Sequence, residues 1–169
     1  MEDHDQRRVA IQKLQLVRRF VHQDREPCAV LPGLYIGPIG AARNLESLQK
    51  NGITHVLNAS PVIPCFHKRQ LRYKKLLVYD DPDDDIARFF DESSTFIQKA
   101  RKKGGVLVHC FAGQSRSAAL VAAYLIAYEG LDPAAALHLI RQVRPCAQPN
   151  AGFMQQLSAY SHSKRDVLQ

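Results

Sequence analysis

No stretch of this 169-residue chain is long and apolar enough to span a bilayer. The longest apolar run, Ala118 to Tyr128, falls short of the roughly 20 residues that a transmembrane helix needs. No membrane span is expected. Nothing at the start reads as an export signal, because Met1 to Asp5 is acidic and no apolar core follows. Position 2 is Glu rather than Gly, so the myristoylation pattern is absent. The four cysteines, Cys28, Cys65, Cys110 and Cys146, show no metal-ligand spacing. Without export signal or metal pattern, the expectation is reduced thiols in the cytosol or nucleus. Internal repeats are missing, as is low complexity beyond one aspartate run at 80–85. Tryptophan is absent altogether.

What is present fits one domain. The length can bury a real core, and 46% of the residues are hydrophobic. The net charge of +7 is concentrated locally. Residues 66–75 carry Lys68, Arg69, Arg72, Lys74 and Lys75 with no acid, a run that could flank a site and select acidic or phosphorylated substrates. Residues 99–103 carry Lys99, Arg101, Lys102 and Lys103 ahead of Gly104-Gly105, where cations favour a helix C-terminus. No recognised nucleic-acid-binding module accompanies these runs, so no nucleic-acid partner is expected.

Periodicity divides the chain into alternating strands and helices. Residues 6–23 predict a helix ended by Pro27, with Ile11, Leu14, Val17 and Val21 on one stripe and Arg7, Arg8, Lys13, Arg18 and Arg19 around it. Such a basic helix is packed on the domain, or is a partly ordered arm, or is an element for a partner or membrane surface. Strands are expected at 34–36, 53–57, 73–79 and 106–109. Helices are expected at 41–50, 86–103, 117–129, 133–143 and 151–162. Asp132-Pro133 is a cap followed by a first-turn proline. The alternation predicts an α/β domain, a mostly parallel sheet of about five strands flanked by helices on both faces.

The most informative segment is Gly105 to Ala118, Gly-Val-Leu-Val-His-Cys-Phe-Ala-Gly-Gln-Ser-Arg-Ser-Ala. A strand ends in His109-Cys110, five residues follow, and Arg116-Ser117 opens an apolar helix. An ordinary cysteine is only about 3% thiolate at neutral pH. Making one a nucleophile at pH 6 takes about 4 kcal/mol, more than the ~0.3–2 kcal/mol of a helix dipole. The rest can come from the six peptide N–H groups of Phe111, Ala112, Gly113, Gln114, Ser115 and Arg116, gathered as in an anion-binding nest. Arg116 adds a charged planar fork suited to two phosphate oxygens. Gly113 allows the turn. The Ser117 hydroxyl can hydrogen-bond the cysteine sulfur and help it leave. A buried cysteine beside a chance arginine is the competing reading. It does not account for Cys, Gly, Arg and Ser all standing at the required offsets between a strand and a helix.

His109-Cys110-Phe111-Ala112-Gly113-Gln114-Ser115-Arg116-Ser117 resembles the signature of the cysteine-dependent protein phosphatases. Leu31 to Gly37, Gly52 to Asn58, Arg144-Pro145 and Pro149 to Phe153 resemble segments of their dual-specificity branch, in its small atypical form without a kinase-docking domain. The resemblance implies a catalytic domain over 27–162, an N-terminal helical extension over 1–26 and a tail over 163–169. It implies a phosphocysteine on Cys110, phosphate bound by Arg116 and the loop amides, and no cofactor or metal.

An acid is needed to protonate the leaving oxygen and later to activate water. In the resembling family it stands five residues before a pair, Asn or Asp followed by a hydrophobic residue, that opens a helix. Asp85-Ile86 is that pair, which gives Asp80, with Asp81 as the alternative. Asp85 reads as a helix cap, and Asp83 and Asp84 as a solvated loop. His109 is expected to bond backbone near the loop and tune Cys110. Asn58 and Asn150 match family positions near the loop, either as supports behind the site or as turn residues. His138 reads as structural. Cys65 and Cys146 are either ordinary core cysteines or partners for an oxidised Cys110.

With no tryptophan, the chain lacks the Trp-Pro-Asp acid loop of the tyrosine-specific members. The resemblance therefore implies a shallow cleft taking phosphoserine, phosphothreonine and phosphotyrosine. Family members that act on phosphoinositides tend to carry basic residues inside the loop; no Lys or extra Arg lies there, so the resemblance implies phosphorylated proteins rather than lipid headgroups, RNA ends or sugar phosphates. A phosphoprotein-binding module without turnover is the remaining alternative.

Overall fold

The structure, a computed structural model, describes residues 2–166. Strands β1 (Cys28–Leu31), β2 (Leu34–Gly37), β3 (Ile53–Asn58), β4 (Arg72–Lys75) and β5 (Gly105–His109) form one sheet. Their order is β1-β2-β5-β3-β4. β1 and β2 are antiparallel, and every other pairing is parallel. The mostly parallel five-stranded sheet expected from the alternation is therefore present. β5 lies at its centre and is buried throughout. Successive side chains point to opposite faces, so Val106 and Val108 enter one core while Leu107 enters the other.

The described residues form seven α-helices: α1 (Glu2–Val17), α2 (Ile39–Arg43), α3 (Leu45–Lys50), α4 (Phe90–Arg101), α5 (Arg116–Glu129), α6 (Pro133–Val143) and α7 (Ala151–Asp166). α5 is buried from Ser117 to Ile126, and α4, α6 and α7 pack around it over one face of the sheet. Ala42 and Leu48, from α2 and α3, cover the other face with Val56, Leu71 and Leu107. Truncating one such side chain, Leu120 to alanine for instance, costs about 2–5 kcal/mol by the usual cavity cost. Among the described residues no helix is long and apolar enough to cross a membrane.

Several elements depart from the periodic reading, each for a local reason. The helix expected over 41–50 is two helices, α2 and α3. Asn44 breaks it, because its side chain accepts a hydrogen bond from Ser47 N (3.3 Å) and so caps α3. The strand expected over 73–79 ends at Lys75. Leu76 and Val78 are still buried while Leu77 and Tyr79 are exposed, so the alternation continues without a strand ladder. β1, which was not expected, is a four-residue edge strand paired antiparallel with β2. The helix expected over 86–103 opens as a tight turn at Ile86–Phe89, capped by Asp85 through Arg88 N.

The N-terminal helix differs more. α1 spans Glu2–Val17, and wider turns over Arg18–Gln23 end at Asp24, short of Pro27. Ile11, Leu14 and Val17 of the expected stripe lie in solvent, and among the described side chains of this region only Phe20 is buried. α7 runs on to Asp166, so residues 163–166 are helical, and 167–169 lie outside the described residues.

Candidate active site

Gly37, Asn58 and His109 are in register at the ends of β2, β3 and β5. Open parallel sheets bind ligands beyond the carboxyl ends of their strands. At this edge the central strand runs into the loop Cys110 to Ser115, which feeds α5.

The loop carbonyls are all bonded outward. Phe111 O accepts from Ile39 N (2.9 Å), and Gln114 O from Gln148 N (2.7 Å). Ser115 O accepts from Ala119 N (2.9 Å). Ala112 O and Gly113 O accept from Arg144 Nη2 and Nε, each at 2.7 Å. Cys110 O accepts from His109 Nδ1 (3.2 Å). In a trans peptide the N–H points opposite to the C=O. Six carbonyls held outward therefore turn the N–H groups of Phe111 to Arg116 the other way, into a cup. Gly113 makes the turn at φ 63°, and a Cβ there would stand 2.6 Å from Gly37 backbone.

Cys110 is 2% exposed, and its Sγ lies 3.2 Å from Ser117 Oγ. Arg116 opens α5. Its Nη1 donates to Val78 O (3.4 Å), and its buried Nε has no partner. A cleft of about 330 Å³ is lined by Cys110, the loop, Arg116, Asp80, Cys146 and residues 148–151. Of the aspartate run, Asp80 is the one that lines it.

Asn150 ties these parts together. Its Nδ2 donates to Asp80 Oδ1 (3.0 Å), its N donates to Ser115 Oγ (3.0 Å), and its Oδ1 caps α7 by accepting from Phe153 N (2.9 Å). Asp84, expected in a solvated loop, instead accepts from Tyr79 N (2.7 Å) and faces Arg88, fixing the turn that follows Asp80. Asn58 is wholly buried and does not line the cleft. Its Nδ2 donates to Ile63 O (2.8 Å), which shapes the loop after β3. His109 is also wholly buried. Burial pushes its pKa down to about 4, with Arg116 and Lys75 adding to the effect, so its ring is uncharged at neutral pH.

Other expectations land elsewhere. None of the cations of 66–75 lines the cleft. Lys74 pairs with Glu92, and Lys75 Nζ donates to Ile63 O (2.8 Å). Arg101 does more than sit at a helix end, donating to Pro32 O and Tyr124 Oη. His138 is exposed, against Gln142 on the surface of α6. All four thiols are free, and Cys146, unlike Cys65, lines the same cleft as Cys110. Among the described residues no cluster of His, Cys, Asp or Glu could hold a metal.

Arg144 was read from the sequence only as part of a family segment. The structure makes it the clamp on two loop carbonyls, 4% exposed. Leu137 and Ile140 lie on the buried side of α6, and Arg144 ends that helix, its N donating to Ile140 O (2.9 Å).

A cysteine and an arginine bounding a cup of amides, at the end of the central strand of a parallel sheet, define a cysteine-dependent phosphatase fold. Residues 34–163 match the family described as "Dual specificity phosphatase, catalytic domain". The chain is 40% identical over 142 residues to Dual specificity protein phosphatase 1 of Arabidopsis thaliana, covering 83% of this chain and 72% of that protein. It is 40% identical over 145 residues to human Dual specificity protein phosphatase 22, covering 83% and 75%. It superposes with a TM-score of 0.82 on a mouse putative dual specificity phosphatase crystallised with zinc tungstate, at 32% identity, covering 87% of this chain and 93% of that one. The chain belongs to the dual-specificity phosphatase family. It carries that family's catalytic domain and is a cysteine-based phosphatase.

Proposed function

We propose that this protein hydrolyses phosphotyrosine and phosphoserine or phosphothreonine in protein substrates through a phosphocysteine on Cys110. The observation that carries the reading is the cup. Six outward-bonded carbonyls turn the intervening amides toward one point, between a buried thiol and an arginine whose Nε lacks an acceptor. A phosphate dianion supplies that acceptor and fills the amides. Tungstate, bound by the mouse relative, is a tetrahedral oxyanion of similar shape.

In this mechanism Cys110 Sγ attacks phosphorus, the S–P bond forms, and the bond to the leaving oxygen breaks. Asp80 gives its proton to that oxygen. A water then attacks the phosphocysteine, Asp80 takes the water's proton, and the sulfur leaves with the Ser117 hydroxyl bonded to it. The equatorial oxygens stay on the amides and Arg116 throughout. Asn150 holds Asp80 at the cleft through its side-chain amide.

The breadth of substrate is inferred from the missing acid-loop tryptophan and from a loop interior without further cations, which suits protein substrates better than polyphosphorylated headgroups. A nucleophilic thiol works where thiols stay reduced, so we infer the cytosol or nucleus as its compartment. The test is hydrolysis of an aryl phosphate from pH 5 to 8, beside Cys110→Ser. Activity that peaks below neutral and vanishes in the variant, while phosphate still binds, supports the reading. Wild-type rates in Cys110→Ser would end it.

A further inference from the structure

The matched family region begins at residue 34, and the chain before it reaches the outer side of the phosphate loop. Phe20, in the wide turns after α1, is 1% exposed. Its ring meets that of Phe111 edge-on, with centroids 6.2 Å apart at 70°. Four residues on, Asp24 Oδ2 accepts from Arg144 Nη2 at 2.8 Å.

Arg144 is the residue whose Nε and Nη2 hold the carbonyls of Gly113 and Ala112 out of the cup. A guanidinium this buried is unfavourable by several kcal/mol unless its charge is met. Burial presses the charged form down, and the hydrogen bond and charge of Asp24 more than reverse this, leaving Arg144 firmly protonated. Two carbonyls and one carboxylate thus fix one planar fork. Without the carboxylate, the fork gains by turning to water and releasing both carbonyls. A peptide that then flips presents oxygen to the bound anion where it had presented N–H.

We propose that Asp24 and Phe20 are positioning residues for the oxyanion cup. The segment ahead of the family domain sets the shape of the loop, and through it the affinity for tetrahedral oxyanions and the reactivity of Cys110. The inference rests on reading the cup as a phosphate site. The bland alternative is that the same contacts merely staple the N-terminal segment to the domain.

The test compares Asp24→Asn, Asp24→Glu and Phe20→Leu in the 169-residue chain with wild type, and with Leu14→Ala on the exposed face of α1 as a control. Three quantities are read: the dissociation constant for inorganic phosphate, the rate of Cys110 alkylation by iodoacetamide at pH 6, and kcat and KM for an aryl phosphate. Asp24→Asn should weaken phosphate binding about tenfold, the scale of a lost charge-assisted hydrogen bond. It should also slow alkylation several-fold, with Asp24→Glu recovering part of both and Leu14→Ala changing neither. A lower Tm with unchanged phosphate affinity and alkylation would make the contacts a staple and overturn the proposal. Should Asp24→Asn fail to fold, Phe20→Leu is judged by the same two outcomes. A wild type that binds phosphate without turning over an aryl phosphate overturns the phosphatase reading alone, since the affinity loss in Asp24→Asn still supports the positioning role. A wild type that binds no phosphate overturns both.

Discussion

Asp80 and Asp81 are adjacent carboxylates with different surroundings. Asp80 lines the cleft and accepts from Asn150 Nδ2, whereas Asp81 accepts from Asp83 N in the exposed turn. If Asp80 is the acid, Asp80→Ala slows hydrolysis of a substrate with a poor leaving group by ~10²–10⁴, because that oxygen must be protonated as it departs. A nitrophenolate needs little protonation, so the loss with such a substrate is smaller. Asp81→Ala leaves both rates near wild type. Steady-state kinetics with the two substrates checks this, and a crippled Asp81→Ala beside an active Asp80→Ala moves the acid by one residue. At this scale the sequence was most legible where the chemistry is local. Cys110, Arg116 and Ser117 stand within eight residues, and the strand-to-helix setting makes their offsets meaningful. Arg144 and Asp24 were not legible in the same way. Their pairing spans 120 positions, and a single chain carries no mark of it.

The loop of residues 80–84 and α7 approach each other more closely than a side chain allows. A Cβ on Gly152, in the first turn of α7, would collide with Pro82 O and stand 2.6 Å from Pro82 C. Backbone must move to admit it. Gly152→Ala is therefore expected to push the 80–84 segment off its seat, lowering kcat most for substrates that need the acid. KM changes little, because the cup is untouched. Equal losses with good and poor leaving groups would show that the substitution acts elsewhere. Elements with strong periodicity were legible: the buried strand β5, the apolar helix α5, and α6 with its Asp132-Pro133 start. The alternating burial of Leu76, Leu77, Val78 and Tyr79 imitated a strand because periodicity reports which side faces the core, not whether a neighbouring strand is there to pair. Asn44 split one expected helix into two because a capping side chain acts locally inside an otherwise helical pattern.

Across the whole molecule, the buried His109 couples stability to pH. Its native pKa is about 4, against an ordinary value of 6.5. Below pH 6.5 the unfolded chain binds a proton that the native state refuses, so stability falls as pH drops and the loss levels off below pH 4. The sign is that of a histidine buried neutral. His55, also lowered by burial and by Arg72 and Lys103, acts in the same direction. For His109 alone the linkage amounts to about 2 kcal/mol at pH 5 and about 3 kcal/mol near pH 4, a sizeable share of the ~5–15 kcal/mol that holds a domain of this kind together. Urea unfolding at pH 7 and pH 5 should show that fall, and His109→Gln should flatten it even if the variant is less stable at pH 7. An equally steep fall in the variant would assign the acid sensitivity to other groups. A thiolate phosphatase assayed in weak acid would then have two descending influences on its acid limb, protonation within the site and loss of the native state. The urea midpoint separates them, because only the second moves it.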